Sequence, residues 1–450
     1  MSKSPETYPR LFPSPDQTIA GIGRTLREGR TSCVEILNGC FAQVDEWENK
    51  VHAWVVLDRE RALEQARGLD DELKNGKDRG PLHGIPIGIK DIIDVAGLPT
   101  ACGSKRWANK VADSDADLVI TLREAGAVIL GKTVTTPYAW IDPPITCNPW
   151  NLDRTPGGSS SGSAAAVACG MCLGAIGTQT GGSITRPASF CGVAGMKPSS
   201  VYTSKTGVFP LAPSLDHVGP IARTVEDLRL LFGGIIERWK DLKKDLKICT
   251  PLESPPRLGR LRGFFEQRAD AAVAAALDHA VDALAACGAE IVQLKEPIDF
   301  EEILIKHRTV MAAEAAHIHD DWLDQSPEDY PPRIQDLVYE GRELGAQRYL
   351  RAKDAMDQSE HSVWFSVDEA ELLVVITPAT VSVAPDRSTT GDPSFNSPWS
   401  FTGLPTVSFP IGVSPEGMPV AVQLVGRPFE DLELLRISQW CEQAIRTARQ

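Results

Sequence analysis

The sequence predicts an α/β fold, a sheet with helices packed against it, and three observations carry that expectation. Residues 116–133 (ADLVITLREAGAVILGKT) read as a helix followed by a buried strand. The same step returns further on, where LKICT, then DAAVAAALDHAVDALAACG, then AEIVQL read as strand, helix and strand. Towards the end, the apolar run ELLVVITPAT is followed by TVSFPIG and PVAVQLVG, a hairpin around SPEGM. Alternation of this kind builds α/β sheets. At 450 residues the chain has room for two or three average domains or for one large α/β domain with insertions, and buries a sizeable core either way.

In chain order, a Pro-rich start leads into amphipathic helices at 17–27 and 31–48, the second with Thr31 and Ser32 as caps and Val34, Ile36, Leu37 and Phe41 as core. VHAWVVLD is a strand, and 59–74 a third helix ending at Gly76. In GPLHGIPIGIKDIIDVAGLPT, alternation puts Ile85, Ile87 and Ile89 on one strand face and Pro86, Gly88, Lys90 and Ile92 on the other. Residues 164–176 are rich in Ala, Gly and Cys and read as a helix packed closely against other backbone. SITRPASFCGVAGMKPS reads as loop, and SKTGVFPLAPSLDHVGPIARTVEDLRLLFGGI as loop followed by helix. Residues 301–360 are largely helical and charged, and DLELLRISQWCEQAIR closes the chain as a helix.

Composition narrows the function classes. A net charge of -14 argues against nucleic acid or an anionic membrane as the main partner, since phosphate binding requires clustered Lys and Arg. The 10 cysteines are scattered through small-residue surroundings, as reduced core thiols are, and Cys169-Gly-Met-Cys172 stands alone with no second pair to complete a metal site. No signal-peptide core and no membrane-length apolar run is evident, so a soluble cytoplasmic protein is expected. Gly126 to Thr133 satisfies the literal P-loop pattern, yet its middle residues are themselves the strand, which argues against a phosphate cradle. His83, His217, His317 and His319 have no distinctive setting, and no G-x-S-x-G elbow is present.

What remains is a pair of Gly-Gly-Ser corners, ending in Ser159 and Ser183. A turn of this kind presents a hydroxyl and leaves backbone N–H groups unshielded, which is how acyl-transfer sites are built. A serine hydrolase needs a base, and without a convincing histidine the alternative is lysine. From its own stretch Lys90 stays open between a solvated lysine, one paired with Asp91 or Asp94, and a buried base; the stretch alone favours the first two. As a base it needs a pKa brought from about 10.4 towards about 7 to 8, which burial can do. A neutral Lys90 could then take a proton from Ser159, and Ser159 one from Ser183.

GIPIGIKD ending at Lys90-Asp91, PGGSSSGSAAAVA at 156–168 and GTQTGGSITRPASFCG at 177–192 together resemble the amidase signature family, serine hydrolases with a Ser-cisSer-Lys triad. GMKPS, DHVGPIARTVEDL and FTGLPTVSFPIG add to the likeness, which is strong over 80–235 and weaker over the last 60 or so residues. The resemblance reverses the reading of Lys90 as solvated. It implies Ser183 as nucleophile, Ser159 as bridging serine after a cis Gly158-Ser159 peptide, and Lys90 as base. It further implies an oxyanion hole of the N–H groups of Thr180, Gly181, Gly182 and Ser183, with the Ser160 hydroxyl in support. The implied fold is a single domain over 1–450 with a mixed central sheet sandwiched between helices: a helical N-terminal part at 1–78, a signature core at 80–235 and a divergent pocket region at 300–400. The implied chemistry is amide hydrolysis through an acyl-enzyme with no metal or cofactor, and small amides, anilides, esters or carbamates as substrates.

Two departures bear on the subtype. Many members of that family carry Arg two places after the nucleophile, where this chain has Thr185 followed by Arg186, and Gln179 stands where amidotransferase subunits usually have Asp. Both favour a free-standing amidohydrolase over the alternative, a glutamine amidotransferase A-type subunit that works in a complex. Aromatics at 138–150 and in the divergent region, Trp399 included, suggest pocket walls for an aryl or otherwise apolar group. Oligomeric state is not legible.

Overall fold

The computed structural model describes residues 9–236, 252, 254–369 and 372–449. The predicted LKICT strand lies outside them. The chain opens with α1 (Ile19–Arg27) and α2 (Cys33–Val51). Ser32 caps α2 in a reciprocal capping box with Glu35, and His52 ends it in a left-handed conformation at φ 55°. That late ending shortens the predicted strand to β1 (Trp54–Leu57), after which Asp58 caps α3 (Arg59–Lys74). Then come β2 (Pro86–Lys90), α4 (Asp117–Glu124) and β3 (Val128–Thr133), with Ile85, Ile87 and Ile89 in one core cluster alongside Ile129, as alternation predicts.

Three sequence expectations are corrected in the middle of the chain. The run at 164–176 is not one helix: α5 (Ser161–Ala168) stops before Gly170, whose φ of 73° suits glycine, and GAIGTQ is β4 (Gly174–Gln179). Buried on both faces, β4 shows no alternation, and its glycines make room; a Cβ on Gly177 would stand 2.7 Å from Ser160 Oγ. SITRPASFCGVAGMKPS holds α6 (Thr185–Cys191) and β5 (Ala194–Lys197) instead of a loop. HVGPIA is β6 (His217–Ala222), before α7 (Val225–Ile235). Pro220 stands opposite Ile176 of β4, while β5 pairs only with Ile221 and Ala222.

In the second half, β7 (Arg257–Leu261) and α8 (Phe264–Arg268) lead to α9 (Ala271–Ala286) and β8 (Glu290–Leu294). The charged helical region is α10 (Phe300–Gln325), α11 (Pro332–Arg342) and α12 (Ala346–Glu369). It is followed by β9 (Val374–Pro378), α13 (Ser397–Phe401), the hairpin β10 (Thr406–Val413) and β11 (Pro419–Gly426), and α14 (Asp431–Thr447).

These strands form one 11-stranded sheet in the order β1-β3-β2-β4-β6-β5-β10-β11-β9-β7-β8. It is mixed: β3, β2 and β4 run parallel, as do β9, β7 and β8, with antiparallel pairings between the two sets. α2, α3, α5 and α6 contribute to one core cluster and α7, α9 and α14 to another, so helices sandwich the sheet. Among the described residues no helix is long and apolar enough to cross a membrane.

Candidate active site

The C-terminal ends of β2 and β4, side by side in the sheet, bring the sequence-predicted residues together. Lys90, the last residue of β2, has no exposed surface. Its Nζ lies 2.7 Å from Ser159 Oγ, 2.7 Å from Thr178 Oγ1 and 3.5 Å from the Thr178 carbonyl. Neither Asp91 nor Asp94 pairs with it, because Asp91 forms a buried ion pair with Lys132 at 3.0 Å. Burial brings the Lys90 pKa down to about 7, with the charge of Asp216, which is not bonded to it, opposing the fall. A neutral amine there has a lone pair for the Ser159 proton.

Ser159 sits in the first Gly-Gly-Ser corner. Gly157 takes a φ of 82°, and a Cβ there would stand 2.8 Å from Pro187 Cα. The Gly158-Ser159 peptide is cis, and the Gly158 carbonyl accepts a hydrogen bond from Arg186 Nη2 at 2.8 Å. Ser160 ties this corner to β4: its Oγ accepts from Thr178 N and donates to Thr178 O, each at 3.2 Å.

The second corner, after β4, has all four of its carbonyls tied. Thr180 O accepts from His307 Nε2 at 2.9 Å, Gly181 O from Ser400 Oγ at 3.2 Å, Gly182 O from Arg186 N at 3.0 Å and Ser183 O from Ser160 N at 3.2 Å. In a trans peptide the N–H of the next residue points the opposite way from the carbonyl. The N–H groups of Gly181, Gly182 and Ser183 thereby point away from those carbonyl partners, and with Thr180 N–H they donate to none of the described residues. Gln179 braces the turn from within: its Oε1 accepts from Ile184 N, Thr185 N and Thr185 Oγ1, and its Nε2 donates to Ser400 Oγ. Gly182 fits because a Cβ would meet Asn396 Oδ1 at 2.7 Å. Burial lowers the His307 pKa to about 4, so the ring is neutral and its Nε2–H donates to the carbonyl. No hydrogen bond joins the Ser159 and Ser183 hydroxyls, since Lys90 and Thr178 form the tight end of the network.

Ser183 and its neighbours Thr180, Gly181 and Gly182 line a cavity of about 310 Å³. The expected regions supply its walls: Trp140 from the earlier loop, and His307, Arg308 and Met311 of α10 with residues 389–394 from the divergent region. Trp399 does not reach it, being stacked on Phe265 at 5.7 Å inside a cluster with Phe300. Tyr138 is fully buried against Tyr330, 4.5 Å between centroids. Thr178, His307 and Ser400 were not singled out from sequence; His307 and Ser400 lie on elements with no local motif to join them to the serines, and Thr178 stands inside the 177–192 block without a role assigned to it. Among the described residues no group of three or more His, Cys, Asp or Glu could hold a metal ion.

Comparison with known proteins gives the family. Residues 35–435 match the Amidase family. The A-type subunit of glutamyl-tRNA(Gln) amidotransferase from Nostoc punctiforme is 31% identical, over 95% of this chain and 97% of its own. A solved chain described with a vestigial protein complex that reveals the evolutionary origins of an s-triazine catabolic enzyme superposes with a TM-score of 0.86 at 29% identity, covering 95% of this chain and 98% of that one. The peptide amidase of Stenotrophomonas maltophilia gives a TM-score of 0.83 at 26% identity, covering 95% and 97%. With the mixed sheet, the two glycine corners and a lysine buried against serine in one molecule, the chain belongs to the amidase signature family of enzymes acting on amide carbon–nitrogen bonds.

Proposed function

We propose that this chain cleaves small amides through an acyl-enzyme on Ser183. The observation that carries the reading is Lys90: fully buried, with no carboxylate bonded to it, and hydrogen-bonded to Ser159. Neutral Lys90 accepts the Ser159 proton as Ser159 takes one from Ser183, and Ser183 Oγ attacks the amide carbonyl. The relay requires the Ser183 hydroxyl to turn onto Ser159 as substrate fills the cavity. Charge on the tetrahedral oxygen is met by the unpaired N–H groups of residues 180–183, Ser160 steadies the corner, and Ser159 returns the proton to the leaving amine. Water then releases the acid. Esters and carbamates suit the same steps; an aryl acyl group is supported by Trp140 alone.

Two readings share this half-reaction. The curated relatives favour the amidotransferase one: the A-type subunits from Nostoc punctiforme and Carboxydothermus hydrogenoformans are 31% and 32% identical along nearly the whole chain. On that reading, this chain would pass ammonia from glutamine to a partner in a complex. The free-standing amidohydrolase is supported by Gln179 and the Thr185-Arg186 order, and by likeness to a peptide amidase. Intact mass after a fluorophosphonate probe tests the shared step: one adduct on wild type, none on Ser183→Ala and slow labelling of Lys90→Ala are expected. A folded wild type that takes no adduct sinks the acyl-enzyme. Glutamine-dependent ammonia release that appears only with a co-purified partner selects the complex; release from simple amides by the chain alone selects the free enzyme.

A further inference from the structure

The proton relay puts a positive charge on Lys90, and a buried ammonium is costly without a countercharge. Its own partners are two hydroxyls and a carbonyl. A carboxylate in contact, as Asp91 is with Lys132 at 3.0 Å, would hold the proton on the amine and leave no base. One kept close but prevented from bonding would support the cation as it forms and still leave the neutral amine free to act.

Asp216 has that position. It directly precedes β6, which lies beside β4 with Thr178 opposite Val218 and Gln179 opposite His217. Continued by one residue, the register sets Asp216 against Thr180, and Thr180 Oγ1 donates to Asp216 Oδ1 at 2.5 Å. Thr178, which holds Lys90 Nζ, stands two residues back on the same face, about 7 Å along the strand. Thr178, Thr180 and Asp216 all line a second cavity, of about 210 Å³, which shares Ala139, Thr180 and Leu211 with the cavity beside Ser183. The carboxylate is clamped in place, since Oδ2 accepts from Leu211 N at 2.9 Å and Ala212 N at 3.0 Å while Oδ1 is held by Thr180. Its charge nevertheless acts on Lys90. Burial pushes the Asp216 carboxyl up to about 6, with the charge of Lys205 opposing, so it is ionised at neutral pH. The other groups nearby bring no competing charge: burial keeps the Cys102 thiol protonated and the His217 ring neutral, Asp91 is paired with Lys132, and Lys205 Nζ donates to the Pro213 carbonyl at 2.6 Å.

We propose that Asp216 is a positioning residue of the reaction: its clamped carboxylate is the countercharge for the Lys90 ammonium that forms as Ser159 gives up its proton, and its bond to Thr180 fixes the first residue of the Ser183 turn. This rests on the reading of Lys90 as the base for Ser183 and adds to it a side chain that touches neither serine. Protons balance within the site. The Ser183 proton passes to Ser159 and the Ser159 proton to Lys90; Ser159 then protonates the leaving amine and regains a proton from Lys90. Asp216 stays ionised throughout. One carboxylate thereby serves both the base and the turn that carries the nucleophile.

The test is Asp216→Asn, which removes the charge but keeps an acceptor for the Leu211 and Ala212 N–H groups and a donor for the Thr180 hydroxyl. The rate of fluorophosphonate labelling of Ser183 is followed against pH in both proteins. Wild type should reach half its plateau near pH 7. Asp216→Asn should reach it about one pH unit lower, with the plateau down about tenfold, because an amine without its countercharge is a weaker base. An unmoved midpoint, whatever the rate, means a structural role alone and overturns the proposal while leaving the acyl-enzyme standing. Folded wild type that takes no label fails the acyl-enzyme reading instead. Titration of the Lys90 Cε carbon NMR signal, assigned by its loss in Lys90→Met, then decides: a midpoint about one pH unit lower in Asp216→Asn upholds the countercharge, and an equal midpoint overturns it. If Asp216→Asn does not fold, Lys90→Met gives the reciprocal reading, since the coupling of two charges is mutual. The Asp216 carboxyl carbon should then titrate about one pH unit above its wild-type midpoint, and an unchanged midpoint overturns the proposal.

Discussion

Two lysines, Lys90 and Lys132, sit at or near the C-terminal ends of neighbouring parallel strands, both with no exposed surface, and their surroundings differ in one respect. Lys132 has a carboxylate, Asp91 at 3.0 Å, together with the Pro99 carbonyl and Thr100 hydroxyl. Lys90 has only hydroxyls and a carbonyl. Asp91 follows Lys90 directly in the chain, yet it is turned to Lys132. The difference teaches that burial leaves the partner open: one buried lysine is held by a carboxylate and the other by hydroxyls. Burial with the adjacent carboxylate occupied elsewhere leaves an amine that titrates near neutrality.

The largest effects should separate the two lysines by readout. Lys90→Met is expected to lower kcat by about 10² to 10⁴ while leaving the urea midpoint unchanged or higher, since a desolvated amine is removed. Lys132→Met should do the reverse in stability, costing about 3–5 kcal/mol because Asp91 is left buried and unpaired. If both variants lose activity and stability alike, the distinction between them is broken. The double variant Lys132→Met/Asp91→Leu sharpens it, and should recover most of the lost stability with no unpaired charge remaining.

A smaller effect is one of pH. Labelling of Ser183 should rise with pH and reach half its plateau near pH 7, as Lys90 loses its proton. Stability follows the same group. Between about pH 7, where folded Lys90 releases its proton, and its ordinary value of 10.5, the unfolded chain holds one proton more, so stability rises with pH by up to about 1.4 kcal/mol per unit. In Lys90→Met that contribution should vanish, which denaturant melts at pH 7 and 9 will read. The smallest change is Thr178→Val, which removes one 2.7 Å partner of Lys90 and should cost about tenfold in kcat or less.

The legible and illegible parts of this molecule divide along physical lines. The helix-strand steps at 116–133 and 271–294 follow from periodicity, and the structure has both. β4 and β6 escaped because central strands buried on both faces lose alternation, and because Gly177, Gly219 and Pro220 imitate loop chemistry. The serines and Lys90 were legible as local motifs and lie together at the strand ends. His307 and Ser400 were not, since a hydrogen bond between remote segments leaves no pattern in either. Trp399 misled because an aromatic near a site in sequence serves the core as readily as the wall.

The tethering of the Ser183 turn bears on when in the chain's lifetime chemistry can begin. His307 is separated from Thr180 by 127 residues and Ser400 from Gly181 by 219. A chain still emerging from the ribosome therefore carries Lys90, Ser159 and Ser183 long before the two side chains that tie the Thr180 and Gly181 carbonyls. On the proposed acyl-enzyme reading, hydrolytic competence would arrive with the last third of the polypeptide, and unfinished or truncated products would hold Ser183 without the tethered turn.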